Sequence, residues 1–399
     1  MGDYLGVNAS YDLFKLKFLP EFLEVFEHIL KVGRYWAGDK IIELKDPVTG
    51  RFTAKNANDR MAGRIILRSA NAEGGLESAT AKAAVLDEPG HPDFRLTAWK
   101  AIRRRLALNR GRALLTSTLY DLGWLKQQII DKANQEGMSK TITKLPNGAE
   151  IEFTVNAQAG ITLVQFDSIS NPQFPQEEYE EAKSLTPGDE FTMFYRGRAG
   201  KLRTMIYDCY SDANKVPTFT PPSTWPRFVG IDPLGQQTAA VWVAYDPVQS
   251  KLHVYKEYRE PFGITTAGHT ANILQMSANE DILGWAGGGP SENQVRVDWT
   301  AAGIPLEASP IVDVWLGINW IYALLKAGDL VIHEDCDYLL DELGSYQRKK
   351  NAAGDILQDI LNKDKYHMLD ALRYIITWLL GPQAVTRNNY TPIRITKHY

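Results

Sequence analysis

Apolar residues recur along the chain in two rhythms. From Tyr11 to Val32 they fall at helical spacing (Leu13, Phe14, Leu16, Leu19, Phe22, Val25, Phe26, Ile29), which predicts an amphipathic helix. Short apolar runs predict strands at Asp3–Ser10, Arg64–Ala70, Ala81–Glu88 and Arg112–Thr118, with a basic helix over Leu96–Asn109 between the last two. Strands alternating with helices argue for a mostly parallel α/β sheet. A hairpin turning at Asn147–Gly148 is expected near 140–155, as an insertion in that sheet. Beyond it, VPTFTPPSTWP (216–226) has too many prolines for a helix or a central strand and reads as a linker. Three strands with short turns follow at 226–233, 238–246 and 251–259. Next come a helix at Thr265–Ala278, a strand at Ile282–Ala286, a helix at Ser291–Ala302, a strand at Pro305–Ala308 and a helix at Asp313–Ala327. The strand LVIHE, a helix near Tyr338–Lys349 and a closing helix at Asp364–Leu380 complete the pattern.

This order divides the chain into a first domain over 1–215, a linker over 216–226, a second domain over 227–385 and a tail over 386–399. Three meandering strands followed by alternating helices and strands outline an RNase H-like fold for the second domain. With 44 % apolar and 23 % charged residues in 399, there is ample material for sizeable cores, which excludes wholesale disorder and a rod. The apolar runs, of which RYIITWLLG is typical, stop well short of the ~20 residues that span a bilayer, so no membrane association is expected. Cys209 and Cys336 match no metal or redox spacing and read as free thiols in a reducing cytoplasm. Net charge is −4, so any contact with a polyanion must use a local patch.

Candidate chemistry gathers at strand ends. VLDEP puts Asp87 and Glu88 at the carboxyl end of an apolar strand, where α/β sheets bind ligands. ATP hydrolysis needs one carboxylate for hydrated Mg²⁺ and a second to orient the attacking water; Asp87 suits the first task and Glu88 the second. The next strand ends in Thr116, Ser117 and Thr118, whose hydroxyls can sense the γ-phosphate or its water. A pair of solvated acids is the ordinary alternative. No Gly-rich loop of the GxxxxGK[ST] kind is present: NAEGGLES lacks the lysine, and YRGRAGKLR lacks Ser or Thr after Lys201. Weak or absent ATP hydrolysis by the chain as it stands is therefore expected.

Three further acids recur at matching places in the second domain. Asp232 ends the apolar strand FVGID, and a strand-end Asp can bridge two divalent ions or merely open a turn. Glu292 follows the glycines 287–289 in the first turn of a helix that Ser291 is expected to cap, where an acid also favours the helix dipole. Asp298, six residues on, is a backup ligand. Asp370 lies in an otherwise apolar helix, an expensive place for an acid unless it is paired or holds a metal. His367 shares its side of that helix, with a half-buried structural histidine as the alternative, and Asp364 is expected to cap it.

Basic residues offer two sites. Arg103, Arg104 and Arg105 spread over a wide helical arc, so a solvated face is the default and an arginine acting in trans on a neighbour's phosphate the sharper reading. Arg196, Arg198, Lys201 and Arg203, with glycines and Tyr195 among them, suit a DNA backbone. QRKKN (347–351) reads as an exposed loop with a secondary chance of touching DNA.

Taken together, VLDEPGH, LLTSTLYDLGWLK, SISNPQFP, FYRGRAGK, FVGIDP and HMLDALRY resemble the phage terminase large subunits, the DNA-packaging motors, over about Asp3–Leu380. The resemblance implies a partial P-loop NTPase-like parallel sheet domain followed by an RNase H-like nuclease domain. In that family the phosphate loop lies N-terminal to the segment matching DYLGVNASYDLFK, so the chain is expected to begin after it. The implied activity is metal-dependent cutting of concatemeric double-stranded DNA, coupled to ATP-driven translocation. Asp232, Glu292 and Asp370 would hold two Mg²⁺ or Mn²⁺ ions, and ATP-Mg would bind if the phosphate loop is supplied. Implied partners are DNA, the portal protein, a small terminase subunit and further copies of the chain, in the host cytoplasm and transiently on the procapsid. A resolvase or recombinase of RNase H-like fold, and a catalytically degenerate prophage remnant that binds DNA or portal, are the alternatives.

Overall fold

A computed structural model of the chain describes residues 2–71, 76, 80–200, 202–233, 238–260, 263–289, 291–311, 313–351 and 354–381. They form two compact units that divide between Lys201 and Leu202.

In the first unit, strands β1 (Asp3–Asn8), β2 (Gly33–Trp36), β3 (Ile41–Leu44), β4 (Gly63–Ser69), β5 (Ala83–Asp87) and β6 (Arg112–Thr116) form one sheet in the order β2-β3-β4-β1-β5-β6. The four strands expected from their apolar runs, β1, β4, β5 and β6, are parallel as predicted. Strands β2 and β3 extend the sheet in antiparallel fashion and were not foreseen. Register matters for chemistry here. Asn8 faces Asp87 and Asp87 faces Thr116, so three polar side chains end neighbouring strands at one level.

The predicted helix runs from Tyr11 to Ile29 and packs Phe14 and Phe18 against Ile42, Leu44, Ile65 and Leu67. Residues four apart drift around an α-helix; wider π turns at Phe14–Phe18 and Glu24–Ile29 reverse that drift. Phe14, Phe18, Phe22 and Phe26 consequently line up edge-on or tilted, with ring centroids 5.1, 4.3 and 5.5 Å apart. Leu16, expected on the buried face, is exposed.

The hairpin at Asn147–Gly148 exists, with Gly148 at φ +83, and is part of something larger. Strands β7 (Met138–Lys144), β8 (Glu150–Asn156) and β9 (Ile161–Phe166) make a separate antiparallel sheet. Helices Gln176–Leu185 and Gly188–Arg196 follow, joined by a small core of Ile169, Tyr179 and Phe191.

The second unit begins at Leu202, earlier than the boundary expected at 215. Ile206, Tyr207 and Tyr210 are buried in its core, and the Asn214 side-chain amide donates to the Leu325 carbonyl at 2.8 Å. Nor is the proline-rich stretch a free linker. Val216 lies in β10 (Lys215–Val216), which pairs with β15 (Leu330–His333), and the carbonyls of Pro221 and Pro222 accept from the Arg227 guanidinium. Prolines cannot donate to a ladder but can strap its outside.

Strands β11 (Arg227–Asp232), β12 (Thr238–Asp246) and β13 (Lys251–Glu260) form the expected antiparallel meander. Strand β14 (Ile282–Gly287) runs parallel to β11, and β15 parallel to β13, giving the order β10-β15-β13-β12-β11-β14. This is the α/β arrangement anticipated for an RNase H-like unit. The strand expected at Pro305–Ala308 shrinks to one parallel bridge, Ala286 to Glu307. The helix expected to reach Lys349 ends at Ser345, and a hairpin of β16 (Arg348–Lys350) and β17 (Ile356–Ile360) replaces its end.

Helix His367–Leu380 buries Met368, Leu369, Leu372, Ile375, Ile376 and Leu379 in this unit. Gly230 permits the contact with β11: a Cβ there would sit 2.2 Å from the Ala371 carbonyl oxygen. This close approach carries the start of the helix to the tip of β11.

Away from that tip, His253 and His333 are buried beside Phe219, with no hydrogen-bond partner for either ring among the described residues. Burial, seconded by His333, pulls the His253 pKa down to about 4, and Asp246 opposes it only in part. A folded-state pKa below the ordinary value means stability is present above about pH 6.5 and is lost as pH falls toward 4. We expect about 2 kcal/mol to be lost between about pH 7 and about pH 5, and His253→Phe to flatten that loss, as read from urea midpoints.

Candidate active site

Four of the residues singled out in the second domain meet at one open cleft of about 680 Å³: Asp232, Glu292, His367 and Asp370 all line it. Asp232 is the last residue of β11 and 7 % exposed. Its Oδ2 lies 2.8 Å from Nδ1 of His367. Glu292 stands at the N-cap of helix Asn293–Ala301, in the place expected for Ser291, and its Oε2 accepts the Gly289 N–H at 2.9 Å. Gly288, at φ +70, clears space for that carboxylate, since a Cβ would lie 2.6 Å from its Oε2. Asp370, in the first turn of the closing helix, accepts from the Arg373 guanidinium at 2.7 Å.

The electrostatics are those of gathered acids. Burial pushes the Asp232 carboxyl up to about 6; its hydrogen bond to His367 opposes this, and the charges of Asp370 and Glu292 add to it. Tyr374, also lining the cleft, is raised to about 12 by burial and by Asp232 and Asp370. Burial works against the Arg373 cation, yet Asp370 more than compensates and holds the guanidinium firmly protonated.

Carboxylate oxygens are the hard donors that Mg²⁺ and Mn²⁺ take, so the donor chemistry fits the expected ions. The ligand shell is not closed. Among the described residues no group of three His, Cys, Asp or Glu side chains is gathered to hold an ion. Each carboxylate is instead satisfied by a neighbour: Asp232 by His367, Glu292 by Gly289, Asp370 by Arg373.

A second polar row closes the first unit's sheet. Asp87 accepts from Asn8 Nδ2 at 2.9 Å and from Thr116 Oγ1 at 3.2 Å. Glu88 accepts the Thr118 N–H at 3.2 Å, and Ser117 Oγ lies 3.4 Å from the same carboxylate. Glu88 adopts φ +51, unfavourable for a residue with a side chain, which turns its carboxylate back toward β6. The five residues predicted at these strand tips therefore do meet.

No protein-family model and no curated protein matches the chain. Solved structures do resemble it. They are large terminases of bacteriophages. The large terminase of one thermophilic bacteriophage shares 15 % identity over 95 % of this chain and 86 % of its own, with a TM-score of 0.39. That of bacteriophage HK97 shares 14 % over 94 % of this chain and 84 % of its own, at 0.37. The large terminase nuclease of the thermophilic phage G20c, solved with bound cobalt, shares 18 % over 44 % of this chain and 98 % of its own, at 0.33.

Several sequence expectations change. Asp298, the backup ligand, is exposed, accepts from Gln294 and does not line the cleft. Asp364 does line it but caps nothing, because Tyr366 is the N-cap residue and Asp364 sits in a short 3₁₀ turn, Lys363–Lys365. The basic cluster before the second unit is largely tied down. Arg196 and Arg198 lie 3.1 and 2.9 Å from Asp167, and 3.4 and 3.7 Å from Glu150. Arg203 is exposed and belongs to the second unit, and Lys201 lies outside the described residues. Arg103 and Arg104 are exposed, while Arg105 donates to the Leu76 carbonyl.

Asn8 and Arg373, which hold Asp87 and Asp370, were not among the residues singled out from the sequence. Each had a signal: Asn8 is polar at the end of an apolar strand, and Arg373 lies three residues after Asp370. Among the described residues no helix is long and apolar enough to cross a membrane.

Proposed function

We propose that the second unit is a divalent-metal-dependent endonuclease for double-stranded DNA, and that the whole chain is a terminase large subunit. Such a subunit cuts concatemeric viral DNA and drives it into a procapsid, working with a portal ring, a small DNA-recognising subunit and further copies of itself in the bacterial cytoplasm. The observation that carries this reading is the convergence on one cleft of Asp232, Glu292 and Asp370, acids from a strand end, a helix start and a late helix. Two Mg²⁺ or Mn²⁺ ions, when bound, supply an activated water and a charge sink for the leaving oxygen. Asp232, Glu292 and Asp370 would hold them. His367 orients the Asp232 carboxylate, Arg373 holds Asp370, and the Gly289 amide holds Glu292.

The level row at the first unit's strand tips supports a nucleotide-hydrolysing role. Asp87 would carry the hydrated Mg²⁺ of ATP and Glu88 would orient water, while Thr116, Ser117 and Thr118 respond to the γ-phosphate.

The purified chain is expected to nick and linearise plasmid DNA in Mn²⁺, and EDTA to stop it. Cutting confined to four-way junctions would favour a resolvase, and no cutting in Mn²⁺ a DNA-binding remnant.

A further inference from the structure

The cleft is floored by acids, with Asp364 adding a fourth at its rim. A DNA strand brought to such a floor meets like charge, and bound ions offset it only where they sit. Arg373 cannot help, because it is buried and committed to Asp370. Lys349 and Lys363 differ. Both line the cleft and are exposed, and neither is paired with a described acid. They come from different elements, Lys349 from β16 and Lys363 from the turn after β17.

That turn is a built feature. Asn362 adopts φ +51 and sets the chain into the short helical turn that begins with Lys363. The base of the hairpin is fixed as well. The Leu361 N–H donates to the Gln347 carbonyl at 2.8 Å, and the Gln347 side chain accepts from buried Thr204 at 2.8 Å. Arg348, next along β16, lies over the Trp315 ring at 5.0 Å. Two unpaired ammonium groups thus stand on a braced support over an acidic floor.

We infer that Lys349 and Lys363 are anchors for backbone phosphates of the DNA strand that enters the cleft, an assignment that rests on the nuclease reading. Their contribution is to hold the strand against the repulsion of the acids; the chemistry belongs to the floor.

The test uses the full chain on a linear duplex, with cutting followed in Mn²⁺ and binding in Ca²⁺ over a range of salt. In the doubly substituted Lys349→Ala/Lys363→Ala chain, KM for DNA should rise roughly tenfold with kcat little changed. The slope of log binding constant against log salt should become shallower by about 2, an increment of ~0.9 for each phosphate no longer neutralised. Lys349→Arg/Lys363→Arg should restore both, since the anchor needs charge. Wild-type KM and wild-type salt slope in the alanine chain would overturn the assignment and leave the nuclease reading standing. Failure of the unsubstituted chain to cut in Mn²⁺ would remove the nuclease reading instead, whatever the binding slopes show.

Discussion

Asp232→Ala should abolish Mn²⁺-dependent DNA cutting, by about 10²–10⁴-fold, while leaving the fold intact. The size follows from what a metal-holding carboxylate supports: metal stabilisation of developing charge is worth several kcal/mol, and each ~1.4 kcal/mol is tenfold in rate. The fold should survive because Asp232 is a costly group in its place. Burial has already pushed its carboxyl up to about 6, and the neighbouring acids add to that push. Alanine relieves the repulsion and loses only the hydrogen bond to His367. The thermal midpoint should stay level or rise, which separates lost chemistry from lost structure. Asp298→Ala is the matched control, since that exposed acid accepts from Gln294 and lies off the cleft. Equal loss of activity in both variants would count against the proposed floor.

The largest stability effect is expected at Arg259. Its guanidinium lies 3.2 Å from Glu342, and the two side chains are only 7 % and 3 % exposed. Glu342 also accepts the Leu369 N–H at 3.0 Å, in the first turn of the helix that carries His367 and Asp370. Above about pH 8, where Glu342 is ionised, Arg259→Met would leave that carboxylate buried without its counter-charge, at a cost of roughly 3–5 kcal/mol. Burial raises the Glu342 carboxyl to about 8 even with Arg259 beside it. A folded-state pKa above the ordinary 4.5 means that stability present below that value is lost as pH rises through 8. The Arg259→Met penalty should therefore be greater at about pH 9 than at about pH 6. Urea unfolding at both pH values would show it. In Arg259→Met/Glu342→Gln no charge is buried and the Leu369 bond persists, so more than half of the loss should return. Equal penalties for the single and double variants would rule out the ion pair as the cause.

Much of this protein is visible in its sequence, for reasons that are local. The apolar runs of β1, β4, β5 and β6 and the meander β11–β13 are strongly patterned, and each sits within a few residues of its expected place. Strand-end acids are legible too, because a carboxylate that closes an apolar run stands out: Asp87, Asp232 and, on the last helix, Asp370. Where local patterning is weak or competes with packing, the reading slips. Strands β2 and β3 are four residues each and gain their stability from β4, so little in Gly33–Leu44 announces them. Tyr338–Lys349 looks helical throughout, yet after Ser345 the chain turns and Gln347 is secured by Thr204, 143 residues away in sequence.

The sequence by itself determined the two-part α/β plan, the identity of the acids and the apolar faces that bury the elements bearing them, since these follow from periods of two and about 3.6 residues. Tertiary structure alone decided which charged groups are available. Arg196 and Arg198, which look free along the chain, are bound to Asp167 and Glu150, whereas Lys349 and Lys363 stand unpaired at the cleft. The reason is physical: side-chain type is written residue by residue, but a charge is spent or spare according to what folding brings within about 4 Å of it.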